Sequence, residues 1–218
     1  MKYFTNSMTK IADSTVRRLS QYLRFLEEFE SLGSETVSSE ELAAKGGTTS
    51  AQVRKDLSFF GSFGKRGLGY DVPDLKAQLR DILGLKQSYD VVLVGAGKLG
   101  GALAQYGGFK DRGFNIVAIY DRDPRRVGER WNDIIVRKDS EIEADLSKSR
   151  IEIAIIATPA DAAQEMADRL VGAGVRALLN FANVTLSVPD SITVKHVNMA
   201  LELEALSYAL RNRATERR

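Results

Sequence analysis

Six residues restrict this chain more than any others: Gly95-Ala96-Gly97-Lys98-Leu99-Gly100. They stand directly behind the apolar run Asp90-Val-Val-Leu-Val94 and ahead of a helix-forming stretch. A strand that turns at once into a helix needs glycine at three places: the first for the tight turn, the second for close approach of a diphosphate to the backbone, the third for helix-on-strand packing. The phosphates then meet free N–H groups of the loop and the positive end of a helix dipole. A glycine-rich turn alone means little, but this one has its context. Asp121 closes the next apolar run, Ile116-Val-Ala-Ile-Tyr120, 21 residues after Gly100. A carboxylate there accepts hydrogen bonds from ribose hydroxyls and repels a 2′-phosphate, so the expected cofactor is NAD(H) rather than NADP(H). Arg122 beside it softens that choice. Thr158-Pro159 and Asn180-Phe181 follow two further apolar runs, and the carboxyl ends of such strands line the ligand crevice, so Thr158, Pro159 and Phe181 are expected near the nicotinamide.

Two patterns meet near residue 85. After it, apolar strand-like runs alternate with helical stretches, the signature of parallel βαβ units. Strands are expected at 90–94, 116–120, 134–136, 151–157, 175–180 and 192–197. Helices are expected at 98–106, 160–171 and 199–211. That is a doubly wound parallel sheet, a Rossmann domain, over residues 85–198, followed by a helix and basic tail at 199–218.

Residues 1–84 read differently. A polar arm precedes a helix from about Ser14 to Leu32, with Val16, Leu19, Leu23, Leu26 and Phe29 on one face and Gly33 ending it. Ser38 and Glu41 form a capping box for a short second helix, over by Gly46-Gly47. Thr49 and Gln52 open a third, through Phe60. This is helix-turn-helix spacing. Gly61-Ser-Phe-Gly-Lys-Arg-Gly-Leu-Gly-Tyr70, with four glycines in ten residues, excludes a helix and suits a two-stranded hairpin, completing a winged helix. Pro73 fits the first turn of a fourth helix, which Gly84 closes.

Net charge is +2, and residues 1–84 hold 12 basic and 11 acidic side chains. Bulk charge makes no case for nucleic acid, so the case rests on local clustering. In the third helix Val53, Leu57 and Phe60 turn inward while Gln52, Arg54, Lys55 and Ser58 are available to base edges and phosphates. Lys65 and Arg66 tip the wing, placed for a neighbouring minor groove. There is no cysteine and one histidine, His196, which excludes a disulfide framework and a thiolate nucleophile or metal site and leaves few ligands for zinc. The lack of cysteine favours an intracellular, cytoplasmic setting, and no apolar run is long enough to span a membrane.

NAD(H) binding raises the question of a dehydrogenase. Hydride transfer needs a proton donor or acceptor near the nicotinamide. His196 falls on the last strand, and Tyr106-Gly-Gly-Phe-Lys110 is the one Tyr-x-x-x-Lys match, with glycines that break the helix it would need. No residues remain for a substrate domain. A sensor is the better reading. A Rossmann site for another adenine nucleotide, or one kept only for structure, is the runner-up.

The whole resembles the Rex family of redox-sensing transcriptional repressors from about residue 14 to 210. The resemblance is carried by Leu19-Ser-Gln-Tyr-Leu-Arg-Phe-Leu-Glu27, Val53-Arg-Lys-Asp-Leu-Ser-Phe-Phe-Gly-Ser-Phe-Gly64, Arg66-Gly-Leu-Gly-Tyr70, Val94-Gly-Ala-Gly-Lys-Leu-Gly100 and Leu179-Asn-Phe-Ala182. It implies a homodimer on a palindromic double-stranded DNA operator, compatible with NAD+ and released by NADH. It implies that Lys55 and Arg66 meet DNA, and that the helix from Met199 to Leu210 is swapped between protomers and wedged between the partner's domains. It also implies a switch in which an acid pairs with Arg24 or Tyr106 according to cofactor. This chain departs there, with neutral Asn198 where many relatives carry aspartate.

Overall fold

The structure, a computed structural model, describes residues 11–64 and 67–215, with side chains to residue 212. Lys65, Arg66, the arm before Ile11 and the tail after Thr215 lie outside the described residues. The chain divides into two compact units, Met1–Gln87 and Ser88–Arg218.

The first unit opens with α1 (Asp13–Ser31), whose Leu19, Tyr22, Leu23 and Leu26 are buried. Val16, expected on that face, is 41% exposed; it lies a turn before the apolar partners begin. β1 (Thr36–Val37) leads to α2 (Ser39–Gly46), where the Ser38–Glu41 capping box forms as expected. Gly47 ends α2 in the left-handed region and α3 (Ser50–Ser58) follows, with the Thr49 hydroxyl accepting from the Gln52 N–H. α3 stops two residues short of Phe60. β2 (Tyr70–Asp71) and α4 (Val72–Ile82) complete the unit, with Asp71 as N-cap and proline in the first turn.

The tip of the hairpin expected over 61–70, with Lys65 and Arg66, lies outside the described residues. Among the described residues β2 pairs antiparallel with β1, Val37 opposite Tyr70. The returning chain passes so close that a Cβ on Gly69, at φ +80°, would lie 2.6 Å from the carbonyl oxygen of Val37. The core gathers α1 with Leu42, Val53, Leu57, Leu75 and Leu79. Each such leucine contributes roughly 1.5–3 kcal/mol by leaving water.

The second unit runs β3 (Tyr89–Val94), α5 (Lys98–Ala104), α6 (Gly107–Asp111), β4 (Phe114–Asp121), β5 (Arg130–Trp131), β6 (Ile134–Lys138), a 3-10 turn (Asp139–Glu141), α7 (Ile142–Leu146), β7 (Ile153–Ile156), α8 (Ala160–Gly172), β8 (Ala177–Asn180), β9 (Thr193–His196) and α9 (Met199–Thr215). The sheet order is β5-β6-β4-β3-β7-β8-β9. All pairs are parallel except β5 with β6. Alternate residues of β3, β4 and β7 serve opposite faces. Val92, Val94, Tyr120 and Ile156 pack with α7 and α8, while Val91, Leu93, Ile119 and Ile155 pack with Leu103, Phe109 and Trp131. The helix expected over 98–106 ends at Ala104, and Gly107-Gly108 open a separate short helix, α6, with Tyr106 as its N-cap. Trp131, the one tryptophan of the chain, lies against α5: a Cβ on Gly101 would sit 3.4 Å from its ring.

α9 stands apart in character. Met199, Leu201, Leu203, Leu206, Tyr208 and Leu210 are all more than half exposed. No helix among the described residues is long and apolar enough to cross a membrane.

Candidate dinucleotide crevice and nucleic-acid interface

Strand order reverses between β3 and β7, and a cleft of about 600 Å³ opens at their carboxyl ends. Gly95, Gly97, Lys98, Leu99, Asp121, Arg122, Thr158 and Pro159 line it, as the sequence leads one to expect. The glycines have separable jobs. A Cβ on Gly100 would fall 1.8 Å from the Gly95 carbonyl oxygen, so only glycine lets α5 close on the loop. Gly97 is exposed and meets nothing within 4 Å, leaving its outer side open for a ligand.

Ala96 differs from expectation. Its side chain is fully buried and its N–H donates to Asp121 Oδ2, so neither is offered to the cleft. Asp121 Oδ1 accepts from the Asp123 N–H at 2.8 Å. The carboxylate is thereby aimed before any ligand arrives. Asp123 is held down to about 2 by the hydrogen bond from the Arg125 guanidinium and so stays anionic. Arg126, also in the lining, pairs with Glu129 at 3.2 Å. No ion pair among the described residues holds Arg122.

Thr158 ends β7's loop in the same cleft, and its Oγ1 is the buried side-chain oxygen without a hydrogen-bond partner among the described residues. Such a group costs about 1–3 kcal/mol unless something pairs with it. An orphaned hydroxyl beside an open glycine and an aimed carboxylate fits a dinucleotide with polar groups at both ends.

Phe181 is not among the residues lining the cleft; it is partly buried against the cluster that holds Val91, Leu93 and Ile155. Asn180 is a turn former: its Nδ2 donates to the Val184 carbonyl and to His196 Nδ1, while its Oδ1 accepts from the Ala182 N–H. His196 is exposed, on the strand at the sheet edge. The reading of the sequence missed Arg126, Asp139, Asp161 and Met166 in the lining; they come from loops and helices that carry no local motif.

In the first unit, α2, the Gly47 turn and α3 form the helix-turn-helix. Lys55 and Ser58 are exposed, with the Ser58 hydroxyl donating to the Lys55 carbonyl at 2.7 Å. Arg54 is exposed but donates to Ser39 Oγ at 2.7 Å and to Glu40 at 3.3 Å. Gln52 is half-buried and turned back along α3. It meets a group the sequence reading passed over, the fully buried Asp56. Asp56 accepts from Arg18 Nε at 2.6 Å and Nη2 at 2.7 Å, from the Tyr22 hydroxyl at 2.9 Å and from Gln52 Nε2 at 2.8 Å. Burial pushes its carboxyl up, but the bonds from Arg18, Gln52 and Tyr22 outweigh that and leave it below its usual value. The signal for it was present: 53, 56, 57 and 60 share one helical face.

Comparison with known proteins decides the family. A DNA-binding protein N-terminus family matches residues 10–58, and the CoA binding domain family matches residues 86–184. The redox-sensing transcriptional repressor Rex of Pelotomaculum thermopropionicum is 47% identical over 92% of this chain and 94% of its own. That of Carboxydothermus hydrogenoformans is 46% identical over 93% and 97%. The chain belongs to the Rex family of redox-sensing transcriptional repressors. Among solved structures, the Rex-family repressor RSP in complex with β-NAD+ and operator DNA is 39% identical, covers 96% of each chain and superposes with a TM-score of 0.89. RSP in complex with β-NADH gives 37%, 96% of this chain, 98% of that one and 0.88.

Of the three residues to which the resemblance gives a switch role, Arg24 is exposed on α1 of the first unit. Tyr106 is exposed on the second unit, its ring edge-on to Phe109 at 5.1 Å. Asn198 Nδ2 donates to Asn183 Oδ1 at 3.2 Å, and its Oδ1 accepts from the Ala200 N–H at the start of α9. It acts there as a cap, not as a charge.

Proposed function

We propose that this chain is a cytoplasmic repressor that binds a palindromic operator as a homodimer and lets go when NADH occupies its crevice. The observation that supports it most is the pairing of an open, glycine-walled cleft holding the orphaned Thr158 hydroxyl with a helix-turn-helix presenting Lys55. The bound dinucleotide supplies one variable, a nicotinamide ring that is cationic when oxidised and neutral when reduced. Gly97, Lys98 and Leu99 hold the diphosphate and Asp121 the ribose; both redox forms share these contacts, so they give binding without discrimination. Discrimination falls to the nicotinamide end, around Thr158 and Pro159, where closure by the partner's C-terminal helix would exclude water and penalise the cation by desolvation. Lys55 and Ser58 meet the major groove, with Lys65 and Arg66 at the wing. Arg24, Tyr106 and Asn198 belong to the coupling between states, with the neutral Asn198 weakening a charge-based bias. The exposed apolar side chains of α9 suit burial in a partner protomer, which makes residues 199–218 a dimerisation segment swapped between protomers, beside a DNA-binding segment 1–84 and a dinucleotide segment 85–198. The chain acts by binding and not by turnover.

The test is selection of duplex DNA from a random pool by the full chain, with and without NADH, alongside its mass in solution. A palindrome enriched by a dimer and lost on adding NADH is expected. Enrichment that NADH leaves untouched would overturn the sensor reading.

A further inference from the structure

Gln52 sits three residues inside the N-terminus of α3, the end of a recognition helix that reaches base edges. Its backbone is fixed by the Thr49 cap at 3.1 Å. Its side chain is fixed as well, because what faces it is a carboxylate. Ionised Asp56 only accepts hydrogen bonds, so the group turned toward Asp56 Oδ1 must be the amide Nε2 and not Oε1. The amide cannot flip without setting oxygen against oxygen. Asp56 cannot give way, since Arg18 bonds both of its oxygens and the Tyr22 hydroxyl bonds one of them. Gln52 Oε1 has no partner among the described residues, yet it is not a buried orphan. It therefore reaches solvent as an acceptor, with one N–H of the amide still free beside it.

In the major groove adenine offers a donor at N6 and an acceptor at N7, whereas guanine offers acceptors at both O6 and N7. An amide free to turn could serve either base. One pinned with its oxygen outward matches adenine and sets carbonyl against carbonyl on guanine. We infer that Gln52 is the adenine-reading residue of the recognition helix, and that Asp56 is the positioning residue that denies it guanine. This rests on the operator-binding reading above.

The test uses the full chain without cofactor, on operators carrying each base pair at every half-site position. Wild type should prefer adenine over guanine by about tenfold at one position per half-site. Gln52→Met, similar in shape but without the amide, should lose the preference at that position and keep the rest. Arg18→Met, Tyr22→Phe and Asp56→Leu together replace the ion pair and its neighbour by apolar groups, an exchange often neutral for stability. With the pin gone, discrimination of adenine from guanine should collapse at the same position only. An unchanged preference in Gln52→Met, or a Gln52-dependent position that is guanine, overturns the assignment to Gln52. A triple variant that keeps the full preference overturns the role of Asp56; if it fails to fold, the Gln52→Met arm still decides the base. A wild type that selects no sequence at all fails the operator-binding reading itself.

Discussion

Along α3 three polar side chains are already engaged within the protein, Gln52 by Asp56, Arg54 by Ser39 and Glu40, and Ser58 by its own helix, while Lys55 stays exposed. In the crevice the Thr158 hydroxyl has no partner among the described residues and the outer side of Gly97 faces nothing. The two regions meet different demands. A helix that must tell one base from another gains from side chains whose rotamers are settled beforehand, because a floppy amide reads everything. A pocket for one fixed ligand can be shaped by backbone, leaving polar groups for the ligand itself to satisfy. Stability and recognition are thus joined in the first unit and separable in the second.

Gly97→Val puts that separation to its hardest trial. Gly97 has φ −74° and ψ −170°, which valine adopts freely, and no neighbour obstructs the new side chain. The fold and operator affinity should be unchanged while the response to NADH disappears. Release by NADH as in wild type would mean that the diphosphate does not pass over this loop.

Asp56→Ala tests the opposite region. It leaves Arg18, only a quarter exposed, without its partner, and should cost about 3 kcal/mol in the first unit's unfolding by denaturant. The carboxyl ionises below its ordinary 3.8 in the folded unit. Its contribution is therefore complete above that value and is lost as pH falls through the folded pKa. The gap between wild type and variant should be flat from pH 5 to 8 and shrink only in stronger acid. A gap that opens near neutrality would point to another group.

Lys55→Ala is the smaller change on the same helix. Exposed and without an ion pair among the described residues, Lys55 should matter to DNA and not to folding, with operator binding weaker by about 1–3 kcal/mol at an unchanged melting temperature. Equal losses in both would erase the distinction between Lys55 and Asp56. The least effect belongs to Thr158→Val, near in shape but with no hydroxyl to satisfy. It should leave the free protein equally or slightly more stable while weakening NADH by roughly 1 kcal/mol, read by thermal melting and by nicotinamide fluorescence. A loss of stability without loss of affinity would show the hydroxyl to be structural.

What could be read from the sequence was what is locally encoded. The Ser38–Glu41 box, Gly33, Gly84 and the Gly95–Gly100 loop act over a few residues, and each stands where its chemistry puts it. The partner of β2 could not be read in this way, because β1 is two residues long and has no period to betray it. Phe181, expected near the nicotinamide from strand order, is not among the side chains lining the cleft; after the turn held by Asn180 it is partly buried against the core. Asp139 and Asp161 arrive from distant segments of chain, and only the folded sheet brings them beside Asp121. Asp56 was a matter of attention rather than of information: a carboxylate in phase with Val53 and Leu57 announces a buried partner.

Trp131 against Gly101 has a spectroscopic consequence. The chain has a single indole, and it leans on the helix that begins at the phosphate loop. Indole emission overlaps the absorption of a dihydronicotinamide and not that of the oxidised ring. Excitation passing from Trp131 to a reduced cofactor in the crevice would dim the protein's own light, and oxidation would restore it. The molecule thus carries an internal optical gauge of the quantity it senses, readable without label, DNA or substrate.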